Sequence, residues 1–150
     1  MCGIIGYIGS KPVVPVLLEG LRRMEYRGYD SAGVAVMQDR LLATRKKKGK
    51  IDEGLAKVVQ ANPVYGQVGM GHTRWATHGG VEERNAHPFL SADGRFAVLM
   101  NGIFENYVAL RDEVAATGRT LTSDTDTEAL VQDRKSTRLN SSHVKRSRMP

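Results

Sequence analysis

The single cysteine of this 150-residue chain, Cys2, stands directly behind the initiator methionine. Loss of Met1, which a side chain as small as that of Cys2 permits, leaves one residue carrying both a thiol and a free α-amine. A thiol of ordinary pKa about 8.5 beside an amine of about 7.7–8.0 is a nucleophile with its own base near neutral pH. The plainer alternative is a small apolar side chain, which is what most free cysteines are, and only partners decide between the two. Attack of a thiol on a carboxamide builds an oxyanion and calls for preorganised donors. The side-chain amide of Asn101 and the backbone N–H of Gly102, where an apolar run stops, are candidates. A free amino acid as substrate needs a cation for its carboxylate and an anion for its ammonium, and Arg74 and Asp126 can supply them. Each also has a plainer role: Asn-Gly is a common turn, a surface Arg often makes an ion pair worth little, and Asp often caps a helix.

The elements that would have to position these groups follow from the pattern of apolar residues. Residues 2–8 read as a glycine-rich buried strand turned at 9–12, and Val13, Val16, Leu17, Leu21 and Met24 recur at helical spacing. The polar, tyrosine-bearing loop 25–31 can either order a site or cap that helix, and sequence favours the cap. Residues 32–37 and 41–45 read as a hairpin around Gln38-Asp39-Arg40, with Arg45 to Lys50 as a solvated basic loop. A short helix over 51–59 ends at Asn62-Pro63, and a strand over 67–73 runs into the loop that holds Arg74, Trp75, Thr77 and His78. Asp93-Gly94 turns the chain into a strand over 95–100. Asn106 and Gly118 then bracket one helix, and Thr125 and Glu128 have capping-box spacing for another.

The composition is that of one globular domain, with 41% hydrophobic and 25% charged residues. No apolar run approaches the roughly 18 residues of a membrane span, and no signal-peptide layout opens the chain, which places it in the cytoplasm. A single cysteine excludes an intrachain disulfide. The net charge of +6 is carried by the last stretch: Arg134, Lys135, Arg138, Lys145, Arg146 and Arg148 lie there with no acid, and the rest of the chain is neutral. A nucleic-acid reading therefore rests on residues 133–150, whose composition departs from everything before them and reads as a non-native or disordered tail.

Several long motifs occur in order: Met-Cys-Gly-Ile-Ile-Gly at 1–6, the Leu-Glu-Gly-Leu-Arg-Arg-Met-Glu-Tyr-Arg-Gly-Tyr-Asp-Ser-Ala-Gly run at 18–33, Gly-His-Thr-Arg-Trp-Ala-Thr-His-Gly at 71–79, Asn-Ala-His-Pro at 85–88, Asn-Gly-Ile-Phe-Glu-Asn at 101–106 and Ser-Asp-Thr-Asp-Thr-Glu at 123–128. Together they resemble the N-terminal class II glutamine amidotransferase domain of the glutamine–fructose-6-phosphate aminotransferases. The resemblance implies an α+β fold, the N-terminal-nucleophile hydrolase four-layer αββα sandwich of antiparallel sheets, incomplete in this chain and confined to residues 1–132. It implies glutamine hydrolysis through a cysteinyl thioester with no cofactor and no metal. By motif it makes Cys2 the nucleophile, Asn101 and Gly102 the oxyanion hole, Arg74 and Asp126 the holders of the glutamine carboxylate and ammonium, Thr77 and His78 the lining of the glutamine loop, Trp75 a gate for ammonia, and Arg27 a support for the cysteine end. His72 and His87 stay structural, since neither is needed as a base.

Met100 and Phe104 stand where relatives often have histidine and isoleucine, and both keep the segment apolar. The family continues past residue 132 and then into sugar-isomerase domains that bind fructose 6-phosphate, usually as a homodimer. A chain lacking these is expected to be poorly stable, and its activity alone is in doubt. The alternatives are another class II amidotransferase, such as an amidophosphoribosyltransferase, an inactive fragment, or a non-catalytic nucleic-acid binder using its basic tail.

Overall fold

The computed structural model describes residues 2–76 and 79–133. Antiparallel pairing joins β1 (Gly3–Ile8), β4 (Val68–Arg74), β2 (Ser31–Gln38) and β3 (Leu41–Lys48), in that order, into a four-stranded sheet with β1 and β3 at its edges. β2 and β3 are joined by the two-residue turn Asp39-Arg40, with φ of 50° and 67°, whose left-handed backbone suits the twist of a tight hairpin. Predicted as a loop beyond the strand 41–45, Lys46 to Lys48 instead continue β3 opposite Ser31 to Gly33. Their long stems let them pair in the ladder while the charges find partners: Lys47 meets Glu83 at 2.8 Å, and Lys46 Nζ lies 4.5 Å from the centre of the Phe89 ring.

One face of this sheet is covered by α1 (Val13–Met24) and α2 (Leu55–Ala61). Val13, Leu17 and Leu21, spaced four apart, form the buried stripe of α1 and pack with Ala32, Val34 and Val36 of β2 and with Ile51, Leu55 and Val59. Pro12 and Pro15 fall at the start of α1, where a missing N–H removes no helical bond. Both helices and the strands before and after them keep the positions expected from sequence to within a few residues.

Pairing partners in the register share a face, so Ile4, His72, Gly33 and Lys46 lie on the side away from the helices. That face receives the segment 85–90; the two-stranded sheet of β5 (Phe89–Leu90) and β6 (Ala97–Val98) packs against α4 (Asp126–Gln132), and α4 packs against α3 (Tyr107–Ala116). The strand predicted over 95–100 is reduced to the two residues of β6, whose partner among the described residues, β5, is itself two residues long. The approach of the 85–90 segment depends on Gly33, where a Cβ would stand 2.1 Å from the His87 carbonyl oxygen.

Asn106 stands at the N-cap of α3 but makes no side-chain capping bond. Thr125 does cap α4, accepting from Glu128 N–H at 3.4 Å. The reciprocal half of the capping box is replaced: Glu128 accepts from the N–H groups of Thr122 and Ser123, which ties the 122–125 loop down ahead of the helix. α4 ends at Gln132, and residues 134–150, where sequence places the basic tail, lie outside the described residues.

Candidate active site

Cys2 precedes the first residue of edge strand β1, and Gly3 pairs with Thr73 on β4, so the thiol is carried to the end of the sheet where β4 delivers Arg74 and Trp75. Trp75 N–H donates to Cys2 Sγ at 3.2 Å, and the Trp75 carbonyl oxygen lies 3.5 Å from the same sulfur. The Trp75 ring is exposed and meets Tyr29 edge-on at 5.6 Å.

The loop 25–31, expected to cap α1, does more than that. Asp30 N–H donates to the Arg74 carbonyl at 3.1 Å, and Asp30 Oδ2 accepts from Ala76 N–H at 2.7 Å, so two bonds from one residue fix the backbone on either side of Trp75. The 3-10 turn Glu25–Arg27 follows α1 directly and leads the loop toward the strand end. In sequence the loop is a polar segment after a helix, and nothing local shows the strand end that it meets.

A cavity of about 540 Å³ opens between the strand end and the second layer. Cys2, Arg27, Arg74, Trp75, Asn101, Gly102 and Asp126 line it, so seven of the nine residues predicted for the site meet there. The remaining two, Thr77 and His78, lie outside the described residues. Arg74 is almost fully buried, and its guanidinium donates to the carbonyls of Gly80 at 3.1 Å and Gly79 at 3.3 Å, closing the loop 74–80 on itself. Burial holds its pKa below the usual value, and the nearby Cys2, Asp30 and Asp126 oppose that effect.

Asn101 spans two elements: its Nδ2 donates to the Cys2 carbonyl at 3.2 Å, and its Oδ1 lies 2.8 Å from His72 Nε2. Gly102 follows with φ of 141°, a conformation that only glycine adopts without strain. Asp126, at the first turn of α4, is 5% exposed; its Oδ2 accepts from Phe104 N–H at 2.7 Å and its Oδ1 from Thr127 N–H at 2.8 Å. These bonds hold the 101–104 segment against α4.

His87 also lines the cavity and stacks on His72 behind it, ring centres 4.6 Å apart, both buried. Burial pushes His72 down to about 4, against the hydrogen bond to Asn101, and pushes His87 to about 2, with His72, Arg74 and Lys46 adding to the effect. Burial thus favours the neutral form of both rings at pH 7. What sequence did not reveal is that each hydrogen-bonds a residue lining the cavity: His72 to Asn101, and His87 to Thr127 Oγ1 at 2.8 Å.

This α+β arrangement of antiparallel sheets and helices, with Cys2 at a strand end facing amide, cationic and anionic groups, is the fold of the N-terminal-nucleophile hydrolases. The solved structure of glutamine phosphoribosylpyrophosphate amidotransferase from B. subtilis superposes with a TM-score of 0.70 at 25% identity, over 87% of this chain and 28% of that one. A second solved structure, described as the allosteric regulatory enzyme of purine biosynthesis, gives 0.68 at 27% identity, over 86% of this chain and 28% of that one. The family profile described as the glutamine amidotransferase domain matches residues 58–138, and the chain belongs to that family. Among curated relatives, the glutamine–fructose-6-phosphate aminotransferase (isomerizing) of Thermus thermophilus is 52% identical over 130 residues, and that of Leifsonia xyli subsp. xyli 56% identical. These matches cover 87% and 85% of this chain, which spans 21% of the length of each relative. Among the described residues no helix is long and apolar enough to cross a membrane.

Proposed function

We propose that residues 1–132 form the glutaminase part of an aminotransferase that moves the amide nitrogen of L-glutamine to fructose 6-phosphate, giving glucosamine 6-phosphate. The observation that carries this reading is the gathering of Cys2, Arg74, Asn101, Gly102 and Asp126, from four separate stretches of chain, around one cavity. Identity near half with relatives named for that transfer supports the choice of acceptor over the phosphoribosyl alternative, whose solved structures share about a quarter of the residues. The sugar-side chemistry, fructose 6-phosphate binding and homodimer assembly belong to parts of a full-length protein beyond this chain. Residues 133–150 take no part, and nucleic acid is not a partner.

The proposed sequence of events uses only groups of this chain. Removal of Met1 turns the Cys2 nitrogen into an amine, which takes the thiol proton as sulfur attacks the glutamine amide carbon. The charge that develops on the carbonyl oxygen is received by the Asn101 side-chain amide and Gly102 N–H. Collapse breaks the C–N bond, the Cys2 ammonium returns its proton to the leaving nitrogen, and ammonia departs from a γ-glutamyl thioester. Water, deprotonated by the same amine, then releases glutamate and restores the thiol. Arg74 and Asp126 hold the α-carboxylate and α-ammonium, so an amide lacking either group is a poor substrate. Thr77 and His78 line the glutamine side, Trp75 screens the exit of ammonia, and Arg27 supports the Cys2 end. The work is cytoplasmic and needs no cofactor and no metal.

The test is intact mass after incubation with a glutamine-analogue diazo ketone. An adduct on Cys2 confined to chains that have lost Met1 supports the reading, and labelling indifferent to Met1 refutes it.

A further inference from the structure

The amide of Asn101 has to present N–H, and not oxygen, to a developing oxyanion, and the surrounding hydrogen bonds decide which way it points. The Cys2 backbone carbonyl can only accept, so the Asn101 atom 3.2 Å from it is Nδ2. The atom 2.8 Å from His72 Nε2 is then Oδ1, also an acceptor, which requires that His72 carry its proton on Nε2. The rest of the ring agrees. His72 Nδ1 is buried and has no hydrogen-bond partner among the described residues, a state far less costly for a lone pair than for an N–H. Hydrogen bonding to Asn101 and to the Met100 carbonyl favours the protonated ring, yet burial outweighs both and the ring stays neutral.

The same logic repeats at the neighbouring His87. Thr127 Oγ1 donates its single proton to Asp126 Oδ1 at 3.3 Å, so it accepts from His87 at 2.8 Å, and His87 is likewise the Nε2–H tautomer with an unpartnered Nδ1. His87 stacks on His72 at 4.6 Å with the planes tilted by 38°, and so limits rotation of the His72 ring.

We propose that His72 is the positioning residue of the oxyanion hole: its Nε2–H pins Asn101 Oδ1, and the Asn101 amide thereby keeps one N–H on the Cys2 carbonyl and the other turned to the cavity. This rests on the glutaminase reading. Without the pin, the amide can turn over and offer oxygen to an oxyanion, while the cavity and the thiol are unchanged.

The experiment compares His72→Leu, His72→Gln, Asn101→Ala and the double variant His72→Leu/Asn101→Ala in the full chain freed of Met1, following glutamine hydrolysis and Cys2 alkylation by iodoacetamide. Alkylation at an sp³ carbon builds no oxyanion, so it reads the thiol alone. His72→Leu lowers kcat on the order of a hundredfold, the range for loss of one oxyanion donor, with KM for glutamine and the alkylation rate held within about twofold. His72→Gln, whose amide N–H reaches the same oxygen, recovers most of the loss, and the double variant is no slower than Asn101→Ala. Parallel loss of hydrolysis and alkylation, additive losses, or no recovery by Gln overturn the proposal.

Long-range proton–nitrogen spectra of the wild-type imidazoles give a reading independent of turnover and of variant folding. They show the Nε2–H tautomer for His72, and an Nδ1–H tautomer overturns the pin. A wild-type chain that alkylates but leaves glutamine intact overturns the glutaminase reading alone, since the tautomer still reports the contact.

Discussion

Trp75 presents both of its backbone groups to Cys2, the N–H at 3.2 Å from Sγ and the carbonyl oxygen at 3.5 Å. The thiol can donate to the carbonyl while accepting from the N–H, and the thiolate keeps the second contact when it loses the first. This backbone has no side chain to mutate, but Asp30 anchors it from both sides through Arg74 and Ala76. Asp30→Ala leaves the Ala76 N–H without its acceptor and is expected to cost about 1–3 kcal/mol of folding stability. Alkylation of Cys2 should slow at the same time, since the donor on sulfur is no longer held. Asp30→Asn, which still accepts through its carbonyl oxygen, should lie nearer wild type in both urea denaturation and alkylation. Equal behaviour of the two variants would count against the anchor.

Both carboxylate oxygens of Asp126 are taken by backbone donors, Phe104 N–H on one and Thr127 N–H on the other. Asp126→Asn therefore has to turn an NH2 against one of these N–H groups, whichever way the amide sits. The variant should lose about 1–3 kcal/mol of stability, as expected when a buried donor is left without a partner. Its KM for glutamine should rise at least tenfold, because the anion opposite the substrate ammonium is gone. Denaturation and steady-state kinetics on one preparation separate the two effects, and a wild-type KM in a destabilised protein would leave Asp126 with a structural role only.

Much of this arrangement was legible from the chain itself, for reasons that differ by element. The stripe Val13, Leu17 and Leu21 gives α1 because its period is local, and Asp39-Arg40 reads as a turn between two apolar runs for the same reason. Site residues were legible as motifs. The distances between them were not, since pairing of β1 with β4 brings Cys2 to Trp75, and packing of the 97–104 segment over the strand end brings Asn101 to His72, in each case from far apart in sequence. The same limitation explains the misreadings. Lys46 to Lys48 look like a solvated loop until Ser31 to Gly33 are set opposite them, and the loop 25–31 looks like a cap for α1 until the end of β4 lies beside it.

Gly33 is a case where only the fold assigns a meaning to the residue. In sequence it is a glycine inside an apolar strand, which weakens a strand unless something must come close. A Cβ there would stand 2.1 Å from the His87 carbonyl oxygen and 3.1 Å from that of Arg45, neither of which is a flexible side-chain end. Gly33→Ala is thus expected to push the 85–90 segment off the sheet and to destabilise by about 1–3 kcal/mol, the range for overpacking. Because His87 moves with that segment, glutamine hydrolysis should fall as well. A Gly33→Ala protein of unchanged denaturation midpoint would show that the segment adapts freely.

The buried histidines make a pH-dependent demand on stability whose sign is fixed. In the folded chain burial lowers His72 to about 4 and His87 to about 2, whereas both titrate near 6.5 when unfolded. Above about pH 6.5 neither state binds these protons and the pair has no effect on stability. As pH falls below that, the unfolded chain takes up two protons that the folded chain refuses, so stability drops with a slope approaching about 2.7 kcal/mol per pH unit between roughly pH 6 and 4.5. His87→Gln keeps a donor for Thr127 Oγ1 and removes one titrating group, so its slope should be close to half, about 1.4 kcal/mol per unit. Urea denaturation at several pH values from 7 to 5 measures both slopes. A wild-type stability that stays flat over that range would mean that the rings are hydrated and can charge in place.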